Sequence, residues 1–162
     1  MAEHYGTFVG TPKQSSPINP VDNAYERIAD QILVRDVYTN AGATAQNDTI
    51  QCAVLGWETI IDPDGSKVHF TAGGAGCTLS LGDATHATAL DNAVDIHAAG
   101  SANLLSAITV PNYYLPLWQL LGYASLAAAK AVAKQCELLF TIGGANFAAG
   151  TITWKLVGIR RI

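Results

Sequence analysis

The sequence predicts a mainly β fold: an antiparallel β-sandwich with an extended N-terminal arm and at most one or two short helices. Three observations point to it. Short runs alternate between apolar and polar residues with a period of two, clusters of Gly, Asn, Asp and Pro separate those runs, and the first 24 residues carry Pro12, Pro17 and Pro20 with no apolar period. A chain of 162 residues has the size of one domain and can bury a core without disulfides or a metal. The division expected is an arm over 1–24 and a single sandwich domain over 25–162.

In the arm, each proline fixes φ and removes a donor, which favours extended backbone over helix. Tyr5, Phe8, Val9 and Ile18 supply apolar anchors that a purely solvating tail would not need. An arm of this kind orders only against a partner or the body of its own domain.

From Ile28 to Tyr38 apolar and polar residues alternate, which reads as a strand with both faces partly apolar. "TNAGATAQND" (39–48) is turn chemistry, and "TIQCAVLGW" resumes a β-rich run that ends at Gly56. Asp62-Pro63-Asp64-Gly65 is a turn between two further short runs, since proline presets φ and glycine accepts positive φ. As a calcium loop it lacks the later spaced acids and the terminal glutamate. Cys77, Leu79 and Leu81 alternate with Thr78 and Ser80, the pattern of a strand with one buried face. The alanine-rich stretch after it suggests a short helix over 89–99, ended by Gly100.

Pro111 and Pro116 argue for a loop followed by an edge-type strand near 117–122. Residues 127–135 have strong helix propensity but a length marginal for an isolated helix, so helix and loop both stay open. The last two runs, "CELLFTI" and "GTITWKLVGI", are joined by "GGANFAAG". That connection could be a phosphate cradle or the turn of a hairpin. A phosphate loop needs a helix after it, and in the Walker form a Lys followed by Ser or Thr. Here a strand-like Thr-Ile-Thr-Trp follows Gly150, no lysine occurs before Lys155, and the spacing fails GxGxxG, so the hairpin is expected.

Composition narrows the function. The chain is 49 % apolar and 14 % charged, against roughly 25 % charged residues in ordinary soluble domains, which suggests surface covered by another protein. No apolar run reaches the roughly 18 residues needed to span a bilayer, so no membrane is expected. The start, "MAEHYGTFVGTPKQ", lacks the basic flank and apolar stretch of a signal peptide, which implies residence in a cytoplasm. Cys52, Cys77 and Cys136 are odd in number and form no CxxC pair; they read as buried thiols. Net charge is −4 and the basic residues are scattered apart from Arg160 and Arg161, so no nucleic-acid surface is expected.

No catalytic, cofactor or metal pattern stands out. His4, His69, His86 and His97 are dispersed without HExxH, and His86, Asp95 and His97 make at most a weak metal set. No serine lies in GxSxG, and Cys136 has no partner histidine nearby in sequence. The densest aromatic segment holds Tyr113, Tyr114, Trp118 and Tyr123. It reads either as a contact surface, where Tyr and Trp are enriched, or as the filling of one end of the sandwich.

The order of "YGTFVG", "RIADQILVRDVYT", "NDTIQCAVLGW", "GAGCTLSLGD", "TALDNAVDIHAAG" and "ELLFTIGGANFAAGTITWKLVGI" resembles that of small tailed-phage structural proteins that act as capsid decoration or cement proteins. These stretches span most of residues 5 to 159; the aromatic segment 111–123 and the alanine-rich 124–135 depart from the family's pattern. The resemblance implies a jelly-roll-like sandwich on the outer surface of a capsid, made in a bacterial host's cytoplasm. It also implies a homo-oligomer, trimer favoured over dimer, that bridges copies of the major capsid protein and carries no catalytic residues or cofactor. For that contact the expected residues are Tyr5, Phe8, Val9, Ile18, Tyr113, Tyr114 and Trp118. A neck, tail or head-fibre component and a carbohydrate- or receptor-binding module are the alternatives.

Overall fold

A computed structural model describes residues 31–159 and the backbone of residues 3–5. The strands are β1 (Glu3–Tyr5), β2 (Gln31–Asn40), β3 (Thr49–Leu55), β4 (Ile60–Ile61), β5 (Lys67–Phe70), β6 (Thr78–Gly82), β7 (Asp91–Asp95), β8 (Gly100–Asn103), β9 (Cys136–Gly143) and β10 (Gly150–Ile159). Between β8 and β9 lie a 3-10 turn (Val110–Asn112) and two short helices, α1 (Leu117–Leu120) and α2 (Leu126–Val132). The expected strand from residue 28 begins outside the described residues, as do Phe8, Val9 and Ile18 of the arm.

One sheet has the order β1-β3-β9-β6-β7 and the other β2-β10-β5-β8, with β4 also paired to β10. Pairing is antiparallel except between β1 and β3. Leaving aside the short β1 and β4, the first strand pairs with the last (β2 with β10), the second with the second to last (β3 with β9), then β5 with β8 and β6 with β7. A chain doubled back on itself in this way and rolled so that successive pairs fall in opposite sheets is a jelly roll. The mainly β sandwich read from the alternation is the architecture found.

The core lies between the sheets. On β10, Ile152, Trp154 and Leu156 are buried while Thr153 and Lys155 are exposed, as the period of two requires. Facing them are Ile50 of β3, Leu79 and Leu81 of β6, and Leu138, Phe140 and Ile142 of β9, all buried. Each such side chain removed from water contributes roughly 1.5–3 kcal/mol. Phe140 and Trp154 meet edge to face across the sheets, ring centroids 5.3 Å apart. A register shift between Gln51 and Ala53 leaves Cys52 out of the β3–β9 ladder, and Trp154 Nε1 donates to its carbonyl at 3.0 Å.

Two expectations fail here. The last two runs do not form a hairpin with each other: β9 lies in one sheet and β10 in the other. Buried Phe147 anchors the connecting loop in a bridge with Thr44: its N–H donates to the Thr44 carbonyl and its carbonyl accepts from Thr44 N–H, both at 2.9 Å. The helix expected over 89–99 is replaced by β7 and the bend that leads from it to β8. Asp91 and Asp95 accept hydrogen bonds from Asn92 N–H and His97 N–H, and local side-chain bonds of this kind compete with the helix. Ser80 Oγ then takes Ala93 N–H, fixing the strand to β6 where the register shifts.

Candidate partner-binding surface

The segment between β8 and β9 holds three of the residues expected at a partner contact. Pro116 caps α1 from outside, with φ −69° and ψ 156°, so the edge strand expected near 117–122 is a single helical turn instead. Proline there loses nothing, because the first turn has no use for that donor. Leu117 N–H and Trp118 N–H, which no helical carbonyl can reach, donate to the Thr59 and Trp57 carbonyls at 2.9 and 3.2 Å. Gly122, at φ +89°, ends the turn, and Tyr123 N–H donates back to the Trp118 carbonyl at 2.9 Å. In α2, the helix left open at 127–135, Ser125 Oγ accepts from Ala128 N–H at 3.1 Å.

The rest of the segment is tied down at Tyr123. Its hydroxyl donates to Asp83 Oδ2 at 2.6 Å, and its ring meets Trp57 and His86 edge to face at 5.2 and 4.7 Å. Buried Asp83 also accepts from Thr85 N–H and His86 N–H through Oδ1, at 3.0 and 2.6 Å. His86 Nδ1 stands 3.3 Å from the same oxygen. Trp57 Nε1 donates to the Ala133 carbonyl at 2.8 Å, closing the far end of α2.

A thiol, an imidazole and a carboxylate thus converge around Tyr123, but they are not set up for nucleophilic chemistry. Cys136 is fully buried, and that burial, with the Asp83 and Glu137 charges, pushes its thiol far above the ordinary range. Burial and the Asp83 contact push the Tyr123 phenol up as well. The cluster acts as a staple between the segment and the β6–β7 connection. Among the described residues, no group of three or more His, Cys, Asp or Glu could hold a metal ion, and no helix is long and apolar enough to cross a membrane.

Of the expected contact residues, Trp118 is half-buried and packs against the core, Tyr113 is half-buried, and Tyr114 is 81 % exposed. The aromatic segment therefore divides between filling and surface. Val110 and Val132, 69 % and 60 % exposed, lie on the same connection and were not singled out from sequence, because it has no regular period to give a side chain its direction. Tyr5 belongs to β1 and pairs with Gln51, whereas α1 is tied to Trp57 and Thr59. Nothing among the described residues joins the arm to the aromatic segment.

The chain is thus a jelly-roll sandwich with a stapled excursion between its sixth and seventh roll strands. No family model matches it, and no curated protein matches it in sequence. Among solved structures, a chain of the cyanophage Pam1 capsid asymmetric unit has the same fold, with a TM-score of 0.54 and 12 % sequence identity over 81 % of this chain and 85 % of that one. At that identity the likeness is one of fold.

Proposed function

We propose that this protein is a bacteriophage capsid component, and within that class a decoration protein that binds the outside of the icosahedral shell and bridges neighbouring major capsid subunits. The observation that carries the proposal is the fold shared with a chain of the cyanophage Pam1 capsid asymmetric unit over most of both chains. The two covered shares are nearly equal, so that chain is close to this one in length, which suits a small auxiliary subunit.

The composition supports the same reading, with few charges on an apolar chain and exposed Tyr114, Val110 and Val132 on one connection. The arm over 1–24 and the sandwich over 25–162 divide the work. The arm's Tyr5, Phe8, Val9 and Ile18 reach a shell subunit, and Tyr113, Tyr114 and Trp118 contact the shell or another copy in a homo-oligomer, a trimer in preference to a dimer. Weak contacts repeated over a lattice stabilise it by avidity. No step of this function needs catalysis or a cofactor.

The test is the number of copies per purified particle relative to the major shell protein, by quantitative mass spectrometry. A ratio near one, or a simple fraction of it, is expected. A dozen copies or fewer would move the chain to a vertex, neck or tail, and absence from the particle would overturn the reading.

A further inference from the structure

A row of three cations crosses the outer face of the β2-β10-β5-β8 sheet. Register sets Arg35 of β2 opposite Lys155 of β10, and Lys155 opposite Lys67 of β5. All three are exposed, as is His69, two residues along from Lys67 on the same face. With strands about 4.8 Å apart, the row is roughly 10 Å long. The ion pairs among the described residues lie elsewhere, at His86–Asp83, His97–Asp95 and Lys130–Glu58. Like charges directly opposite on neighbouring strands repel, so this face carries a local cost within the folded chain. It is also a patch of positive sign on a chain whose net charge is −4.

Half-buried Leu33 and Val157 flank the row on one side, with the exposed Asp62 carboxylate close to Val157, and half-buried Val37 with Thr153 on the other. We infer that this face is a docking surface for a protein carrying an acidic patch, whose carboxylates would sit over Arg35, Lys155 and Lys67. Arginine's fork takes a carboxylate in two parallel hydrogen bonds, and the lysines supply charge on either side. A second copy related by a two-fold axis does not fit, because such a contact would lay one basic row against the other. Duplex DNA fits less well: it presents a charge every ~1.7 Å of axis, whereas here there are three cations in one short row, with the Asp62 carboxylate on one flank. The identity of the partner as the capsid shell rests on the function proposed above; the acidic chemistry does not.

The test uses the full chain and the triple variant Arg35→Gln, Lys67→Gln, Lys155→Gln, which is expected to melt no lower than wild type because repulsion has been removed. Titration of poly-L-glutamate, followed by amide chemical shifts, should perturb 33–37, 67–69 and 153–157 in wild type and bind at least tenfold more weakly to the variant. Shifts elsewhere, no shifts, or tighter binding of duplex DNA to the same face at equal ionic strength would overturn the inference. In parallel, shells stripped of this chain should take up the variant at least tenfold less well, with a flatter dependence on salt. Equal uptake would overturn the face as the shell contact. Failure of wild type to bind shells would overturn the shell reading alone, since the polyglutamate titration does not involve it.

Discussion

Two buried acids respond to their surroundings in ways that can be measured. Burial pushes the Asp91 carboxyl above its ordinary range, opposed by hydrogen bonds from Ser106 Oγ and Asn92 N–H. The folded chain therefore takes up this proton more readily than the unfolded one. The resulting stability is fully present below the unfolded carboxyl value of about 3.9 and is lost as pH rises through the folded value. Asp91→Asn carries no charge to bury, so its melting temperature relative to wild type should be highest at pH 7 and fall steadily toward pH 4; a constant difference would refute the assignment. Exposed Asp95, held low by the His97 N–H and ring, has the opposite sign, but it is present in both proteins and cancels. At Asp83 the question is the Tyr123 hydroxyl. Tyr123→Phe removes the hydrogen bond to Oδ2 and should cost about 1–3 kcal/mol in urea unfolding, because the buried carboxylate loses a donor it cannot replace. A change under a few tenths of a kcal/mol would mean that the ring contacts with Trp57 and His86, and not the hydroxyl, hold the segment.

At the level of elements, the connection between β9 and β10 depends on Gly144. It has φ +66°, and a Cβ there would lie 2.0 Å from the Gly76 carbonyl oxygen, which is backbone and cannot rotate away. Gly144→Ala is expected to lose about 2–4 kcal/mol, combining a strained φ with a clash, and to show it as a lower urea midpoint with an unchanged slope. A near-neutral result would show that the two loops can part without loss. That connection also marks the limit of what the sequence discloses. Alternation located β2, β6 and β10, because a period of two follows from one more deeply buried face, while β3, buried on both faces, was marked only as a β-rich run after turn residues. It could not say that β9 and β10 belong to different sheets, since alternation identifies a strand's inward side and not its neighbour. Segment 89–99 misled for another reason: alanine-rich composition favours helix locally, and the Asp91 and Asp95 side chains and the β6 edge override it. Pro116 was read as a breaker when it stands just before the turn it starts. Of the surface, exposed Tyr114 was marked by its residue type, whereas the row formed by Arg35, Lys155 and Lys67 was hidden, because residues far apart in sequence become neighbours only through strand register.

For the whole molecule, the proposed division between sandwich and arm makes a prediction about stability and binding separately. The roll pairs β2–β10, β3–β9, β5–β8 and β6–β7 surround the buried core, and β1 adds three residues beside Thr49–Gln51. Ordering an arm costs on the order of 1–2 kcal/mol per residue in backbone freedom. Apolar anchors can recover roughly 1.5–3 kcal/mol each where a partner buries them. The proposed division of labour therefore predicts that deleting residues 2–20 leaves a chain that still melts cooperatively but no longer binds shells. Retained shell binding would remove Tyr5, Phe8, Val9 and Ile18 from the contact and leave it to the exposed connection and the basic face. Loss of cooperative melting would assign the arm to the fold itself, with the β3 edge dependent on β1.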